Sequence, residues 1–210
     1  MDFDDAFEFE RRFFSRQLPV EVFDFPANLI IQNYYLSQDG YAIRIRVQSM
    51  STKIKMRKST DALEVLENYY DKFDMAILTI KGPAAGGTRY ESEMPIDPVV
   101  AKEMIKRGGK TIIKNRYSYW YGSDGWIIDE FGGNNHDLII AECERTSPVV
   151  DLEIPKFCLL EVTDDKRFSN DRLVINSYNS FKVEFEKELQ QKVDLNCDMF
   201  STAFGTNVLG

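Results

Sequence analysis

The chain has 210 residues, 43% hydrophobic and 29% charged, with a formal net charge of −8. That length supplies one well-buried core with little room for a second full domain. The acidic balance excludes nonspecific nucleic-acid binding and attachment to an anionic membrane surface, both of which need a basic footprint.

The three cysteines, Cys143, Cys158 and Cys197, have no close spacing, so they fit neither a disulfide framework nor a zinc cluster. The opening "MDFDDAFEFE" is acidic where a signal peptide is basic and then apolar, and no apolar run reaches membrane-spanning length. A soluble, cytoplasmic protein is expected.

The first structured segment is "FEFERRFF", whose period-two alternation places Phe7, Phe9 and Phe13 on one face of a strand and Glu8, Glu10 and Arg12 on the other. The same signature continues through "NLIIQNYYL", "YAIRIRVQ", "TKIKMRK", "MAILTIK", "TRYESEMPI", "KTIIKNRYSYWY", "GWIIDEF" and "DLIIAECE". The turns "SQDG", "GPAAGG", "GSDG" and "GGNNHD" suit sharp antiparallel connections, so the pattern favours a sandwich or a barrel. Helical spacing appears in "STDALEVLENYYDKF", capped by Ser59 or Thr60, and in "DPVVAKEMIKRGG", capped by Asp97 with Pro98 in the first turn and Gly108 at the stop. A third helix is expected over "FKVEFEKELQQKV", followed by a loosely held tail, "STAFGTNVLG".

Charges recur two residues apart in these strands: Arg44 and Arg46, Glu91 and Glu93 after Arg89, Lys114 and Arg116, Glu142 and Glu144, with Lys81 and Asp129 in single positions. Each pair shares a face, and the residues between, such as Ile45, Tyr90 and Cys143, are apolar or small. Periodicity leaves two arrangements open. The charged face floats in water, or helices cover the apolar face and the charged one lines the inside of a closed barrel. The second needs compensation, because a desolvated ion costs several kcal/mol. A tunnel holding a polyanion and a hard cation supplies it.

Several features have a plain reading. "GPAAGG" lacks the Gly-Lys-Ser/Thr ending of a phosphate loop and reads as a hairpin turn. His136 has no second His at ligand spacing. Cys143 alternates away from its flanking glutamates toward outer packing, and Trp120 and Trp126 read as packing residues beside a turn. The alternating Lys53, Lys55 and Arg57 read as a solvated edge.

In order along the chain, "EFERRF", "QNYYL", "RIR", "LTIKGP", "RYESEMPI", "KNRY", "WIIDEF", "LIIAECE" and "EVTDDKRFSN" resemble the CYTH domain of the triphosphate tunnel metalloenzymes, over about residues 6 to 177. Three departures stand out. Arg12 occupies a usual Lys position, Phe168 replaces a common Tyr, and an insertion covers residues 49 to 75. Arginine cannot lose its proton and presents a fork where lysine is a point charge.

The resemblance implies an α+β, mainly antiparallel fold: an eight-stranded closed β-barrel with flanking helices, residues 1–178 forming the tunnel domain and residues 179–210 a helix and tail packed on it. It implies a divalent-metal-dependent triphosphatase acting on inorganic tripolyphosphate or a small organic triphosphate. Adenylyl cyclase, thiamine triphosphatase and a nonenzymatic nucleotide or polyphosphate binder are the alternatives.

In that reading Arg44, Arg46, Lys81, Lys114 and Arg116 clamp phosphate oxygens, and Lys166 and Arg167 close the tunnel mouth. Glu8, Glu10, Asp129, Glu142 and Glu144 hold Mg²⁺ or Mn²⁺. Glu10, Arg12, Tyr35, Glu91 and Glu93 form the catalytic set, with Tyr35 as partner to Arg12. The expected partner is a triphosphate, with no nucleic-acid polymer and no membrane. The oligomeric state is left open, a homodimer included.

Overall fold

The computed structural model describes residues 7–85 and 88–210. Eight strands follow one another as antiparallel neighbours or short crossovers: β1 (Phe7–Ser15), β2 (Ala27–Gln38), β3 (Tyr41–Ser49), β4 (Met75–Ala85), β5 (Thr88–Pro95), β6 (Lys110–Tyr121), β7 (Asp124–Phe131) and β8 (Ile139–Arg145). With β10 (Leu160–Glu161) they form a nine-stranded sheet in the order β10-β1-β5-β4-β3-β2-β6-β7-β8. Strand β1 also pairs with β8, over Phe9–Ser15 against Ile139–Arg145, while its first residues pair with β5. A small parallel pair, β9 (Glu153–Ile154) with β11 (Val208–Leu209), ties down the end of the chain.

The turn chemistry fixes the hairpins. Asp39 and Gly40 form a two-residue connection between β2 and β3, both at positive φ (52° and 86°), as a primed turn requires. A side chain at Gly40 would meet Pro83 at 2.8 Å, so close approach fixes this glycine as well. The tip of "GPAAGG", residues 86–87, lies outside the described residues.

Four helices flank the sheet. Helix α1 (Ala62–Asn68) is capped by Asp61, whose carboxylate accepts from the Leu63 and Glu64 amides, one residue later than Thr60 and two later than Ser59. Asp has two acceptor oxygens and sits at the residue where helical geometry starts, which decides the cap. Helix α2 (Pro98–Lys106) has the expected Asp97 cap and Pro98 at its start. A short α3 (Asn170–Leu173) precedes α4 (Tyr178–Asp194), which begins three residues before the "FKVEF" pattern.

The apolar strand faces lie under this cover. Ile45, between Arg44 and Arg46, is buried with Val47, Leu66, Phe73, Ala101 and Ile105, which places α1 and α2 over the outer face of β3. Cys143 and Trp126 pack together on the outer side with Phe13, as the alternation predicts, whereas Trp120 is exposed. Lys53, Lys55 and Arg57 are exposed and belong to no strand.

The inner face changes character along the strands. Phe14 lies two residues beyond Arg12, Ile112 two before Lys114, and Ile140 two before Glu142, so each shares a face with its charged neighbour. These three are buried against Phe168, Phe181 and Phe185. Phe185 meets Phe14 and Phe168 at ring separations of 4.9 and 4.8 Å. The charged face thus ends against an apolar cap built by residues 168–189. Among the described residues no helix is long and apolar enough to cross a membrane.

This cap sets a stability prediction. Phe185→Ala is expected to cost about 3–5 kcal/mol and to lower the melting temperature by roughly 10 °C. Val183→Ala, on the exposed side of the same helix, is expected to stay within about 0.5 kcal/mol. Equal melting temperatures for the two variants would contradict the packing.

Candidate active site

A cavity of about 260 Å³ opens on the charged face, walled by residues of β1, β2, β3, β4, β5, β6 and β8 and by the segment Ser169, Asn170 and Asp171. Its lining contains six basic side chains (Arg12, Arg44, Arg46, Lys81, Arg89 and Arg116) and six acidic ones (Glu10, Glu91, Glu93, Glu142, Glu144 and Asp171). Among the described lining residues each sign offsets the other, which is how the sheet tolerates them away from bulk water.

The pairing is specific. Arg44, 4% exposed, donates through Nη2 to Glu93 Oε1 and Thr79 Oγ1, both at 2.8 Å, and to Glu91 Oε1 at 3.3 Å. Arg46 Nη2 reaches Glu93 Oε2 at 3.3 Å, and Lys81 pairs with Glu91. Glu91 and Glu93 therefore stand as counter-ions to three cations. On the opposite wall Arg116 makes a two-pronged contact with Asp129, both bonds 2.8 Å, and lies 3.6 Å from Glu142.

Three of the lining arginines keep one N–H without a hydrogen bond, although the Arg12 Nε lies 3.6 Å from Glu10 Oε1. The Nε atoms of Arg12, Arg44 and Arg46 are buried without a hydrogen-bond partner among the described residues. Buried donors without a hydrogen bond carry a desolvation cost, and these three belong to arginines that line the cavity.

The carboxylates of β1 and β8 crowd one another, with Glu10 also 3.6 Å from Arg12 Nε. Glu10 stands directly across from Glu144, and Arg12 across from Glu142. Burial, then Glu10 and Asp129, push the Glu142 carboxyl up to about 7, against the pull of Arg116 and Lys114. Burial and the charges of Glu10 and Glu91 also raise Glu144. Among the described residues Glu144 has no hydrogen-bond or ion-pair partner. Like charges opposed in register repel, and carboxylates that favour the protonated form for want of a cation fit a hard divalent ion. Among the described residues no three His, Cys, Asp or Glu side chains stand as a ready-made metal cluster.

Several expected site residues are placed elsewhere. Asp129 is buried with its oxygens engaged by Arg116 and Lys114, which hold it below the ordinary carboxylate range against the effect of burial. Its two oxygens accept N–H bonds from both cations. Lys114 lies behind the cavity wall, fully buried, donating to Asp129 and to Asn170 Oδ1. Arg167 turns away to Asp165 and Glu188, and Lys166 is exposed outside the cavity, so neither closes its mouth. Their segment contributes Phe168 to the apolar cap instead. The Glu8 side chain lies outside the described residues.

Tyr35 is also outside the cavity, 40% exposed, and Tyr34 takes its place. A register shift between Tyr34 and Leu36 makes Tyr35 the extra residue of a bulge: Tyr34 pairs with Arg44 and Leu36 with Ile43. Burial pushes the Tyr34 phenol up to about 12 despite the neighbouring Arg44. The doubled tyrosine in "QNYYL" was the only signal for this choice.

Residues absent from the expected set also line the site. Arg89 donates to the carbonyls of Gly82 (2.7 Å) and Gly40 (2.8 Å) and lies 3.7 Å from Asp171, joining two hairpins to α3.

No family model matches the chain. An inorganic triphosphatase of Acetivibrio thermocellus is 36% identical over 111 residues, covering 52% of this chain and 71% of that protein. The crystal structure of the inorganic triphosphatase NE1496 superposes with a TM-score of 0.51 at 24% identity, over 80% of this chain and 94% of the other. A second structure of NE1496 gives the same score and identity over 97% of its length. The antiparallel sheet, with arginines and glutamates gathered on one face, agrees with this likeness to triphosphatases. The chain belongs to the CYTH family of triphosphate tunnel metalloenzymes.

The Glu142 shift gives a pH prediction for the cation-free protein. Its carboxyl titrates near 7 when folded and near 4.5 when free. The folded chain therefore holds an extra proton between those values. The group's contribution to stability is complete below about pH 4.5 and is lost as pH rises through about 7. In EDTA, Glu142→Gln is expected to gain melting temperature relative to the parent between about pH 5 and 7. A pH-independent difference would contradict the buried, crowded position of Glu142.

Proposed function

We propose that the chain is a divalent-cation-dependent triphosphatase that hydrolyses inorganic tripolyphosphate to orthophosphate and diphosphate. The observation that carries this reading is the gathering of Arg12, Arg44, Arg46, Lys81 and Arg116 with Glu10, Glu142 and Glu144 on the lining of one cavity. The sequence similarity to an inorganic triphosphatase supports the same activity. In this reading the β1–β8 pairing closes the eight strands into the tunnel that holds the substrate.

Arg12, Arg44 and Arg46 take the phosphate oxygens, with Lys81 and Arg116 completing the positive wall. Because six basic and six acidic groups already offset one another among the described lining residues, a polyanion entering alone leaves its own charge uncompensated. Glu10, Glu142 and Glu144, with Glu8 on the same strand, are the residues that would hold Mg²⁺ or Mn²⁺, since an all-oxygen donor set suits a hard cation. Such an ion supplies charge neutralisation at the phosphates and activation of water.

The arginines fix the chain of phosphates so that the terminal phosphorus faces attack in line with its bridging oxygen. A water oxygen bonds to that phosphorus, the bond from phosphorus to the bridging oxygen breaks, and diphosphate leaves. Arg12 stays protonated at any working pH and stabilises charge without moving a proton. The proton of the water passes to a carboxylate of the lining. Glu91 and Glu93 hold the arginines in position.

The lining also favours an inorganic substrate. Tyr34 is the one aromatic group among the described lining residues, and it interacts with Arg44, so no apolar wall is offered to a nucleobase or a thiazole ring.

Orthophosphate release from tripolyphosphate is therefore expected to exceed that from ATP, to vanish in EDTA and to return with Mg²⁺ or Mn²⁺. Cyclic nucleotide as the main product from ATP, or full activity in EDTA, would overturn the reading. Arg44→Ala and Arg46→Ala each remove contacts worth about 1.5–3 kcal/mol and are expected to weaken tripolyphosphate binding by roughly one to two decades. Unchanged affinity in both, by titration calorimetry, would place these arginines outside the site.

A further inference from the structure

Arg12 is gripped from the side away from the cavity. Its backbone N–H donates to Thr163 Oγ1 at 3.1 Å, and its guanidinium Nη2 donates to the Thr163 carbonyl at 3.0 Å. The Thr163 hydroxyl has one proton, and that proton goes to Glu161 Oε1 at 2.8 Å. With its donor and an acceptor site both engaged, the hydroxyl has a single orientation.

Glu161 is itself immobilised. Arg11, 0% exposed, donates to Glu161 through Nε at 2.9 Å and Nη2 at 2.8 Å, and the Ser201 amide donates to Oε2 at 2.8 Å. The remaining arm of Arg11, Nη1, donates to Asn207 Oδ1 at 2.8 Å, and the guanidinium lies 4.9 Å from the Phe204 ring. Asn207 Nδ2 donates back to the Ser201 carbonyl at 2.9 Å. Residues 199–207 thus form a strap over the outer face of β1, and a continuous chain of contacts runs from it to the one arginine of β1 that enters the cavity.

We infer that Thr163 is a positioning residue for Arg12, and that the strap of residues 199–207 locks Thr163 through Glu161 and Arg11. This inference rests on the reading that Arg12 contacts the phosphates. A guanidinium can commit one N–H to an anchor and still present its other N–H groups to an anion, and the Arg12 Nε, 3.6 Å from Glu10 Oε1, makes no hydrogen bond of its own. A displacement of the order of 1 Å in such a group costs about two decades in rate, so the anchor matters as much as the charge.

A double-mutant cycle tests this on the full chain, with tripolyphosphate as the probe. Titration calorimetry with Mg²⁺ and a non-hydrolysable tripolyphosphate analogue gives affinity, and orthophosphate release from tripolyphosphate with Mg²⁺ gives kcat and KM. Thr163→Val, which keeps the shape and removes the hydroxyl, is expected to weaken affinity about tenfold. Thr163→Ser is expected to restore it to within about twofold. In an Arg12→Ala background Thr163→Val is expected to change affinity by less than about twofold. An equal loss in both backgrounds, or no loss in either, would overturn the inference.

Should Thr163→Val fail to fold, Asn207→Ala at the outer edge of the network carries the same cycle. A parent chain that binds tripolyphosphate without releasing orthophosphate would remove the triphosphatase reading, while the affinity cycle still decides the role of Thr163. A parent chain that does not bind tripolyphosphate overturns both.

Discussion

Charge held on an inner sheet face is the constraint from which the rest of this structure follows. A desolvated ion costs several kcal/mol even after relaxation, and six basic and six acidic side chains share one cavity. Neutrality alone would be met by any mixture. The chain instead sorts its charges by strand, with arginines and Lys81 matched to Glu91, Glu93 and Asp129 at hydrogen-bond distance, while Glu10 and Glu144 face each other across β1 and β8. One region is internally satisfied and keeps spare N–H edges. In the other the carboxylates crowd one another, with Arg12 and Arg116 no nearer than 3.6 Å. That separation makes the site fit a complex of a polyanion with a divalent ion.

The packing around the sheet serves the same constraint. Helices α1 and α2 cover the outer face, so residues such as Ile45 carry the hydrophobic stabilisation while their neighbours Arg44 and Arg46 face inward. At one end Phe14, Ile112 and Ile140 replace charge on the inner face, and Phe168, Phe181 and Phe185 close over them. An apolar seal excludes water from one end of the charged region, which strengthens every ion pair inside it. The end of the chain then reaches back across β1 to hold Glu161 and Arg11, outside the cavity but one residue from Arg12.

The strands and the inner charges were legible because their signal is local. A period of two identifies which residues share a face whatever the rest of the chain does, and Arg44, Arg46, Lys81, Glu91, Glu93, Glu142 and Glu144 all fall on the lining. What escaped depends on nonlocal geometry. The bulge that exchanges Tyr35 for Tyr34 is a register property of the β2–β3 pair. Asp129 has the composition of a ligand, and only its two cationic neighbours make it a counter-ion. Lys166 and Arg167 carry positive charge next to the mouth in sequence, yet the burial of Phe168 orients their segment, and Arg167 finds Glu188 on α4. The strap from residue 199 onward has no periodicity to read, since its interactions are single hydrogen bonds to residues far away in sequence.

The central claim is that this cavity binds a triphosphate through its arginines and a divalent ion through the carboxylates of β1 and β8. A crystal structure with a non-hydrolysable tripolyphosphate analogue and Mn²⁺, using the anomalous signal of manganese, tests it most directly. The account predicts phosphate density against Arg12, Arg44 and Arg46 and a manganese peak beside Glu10 and Glu144. Phosphate bound on the outer surface at Lys166, or manganese away from β1 and β8 with the cavity arginines still paired to Glu91 and Glu93, would contradict it.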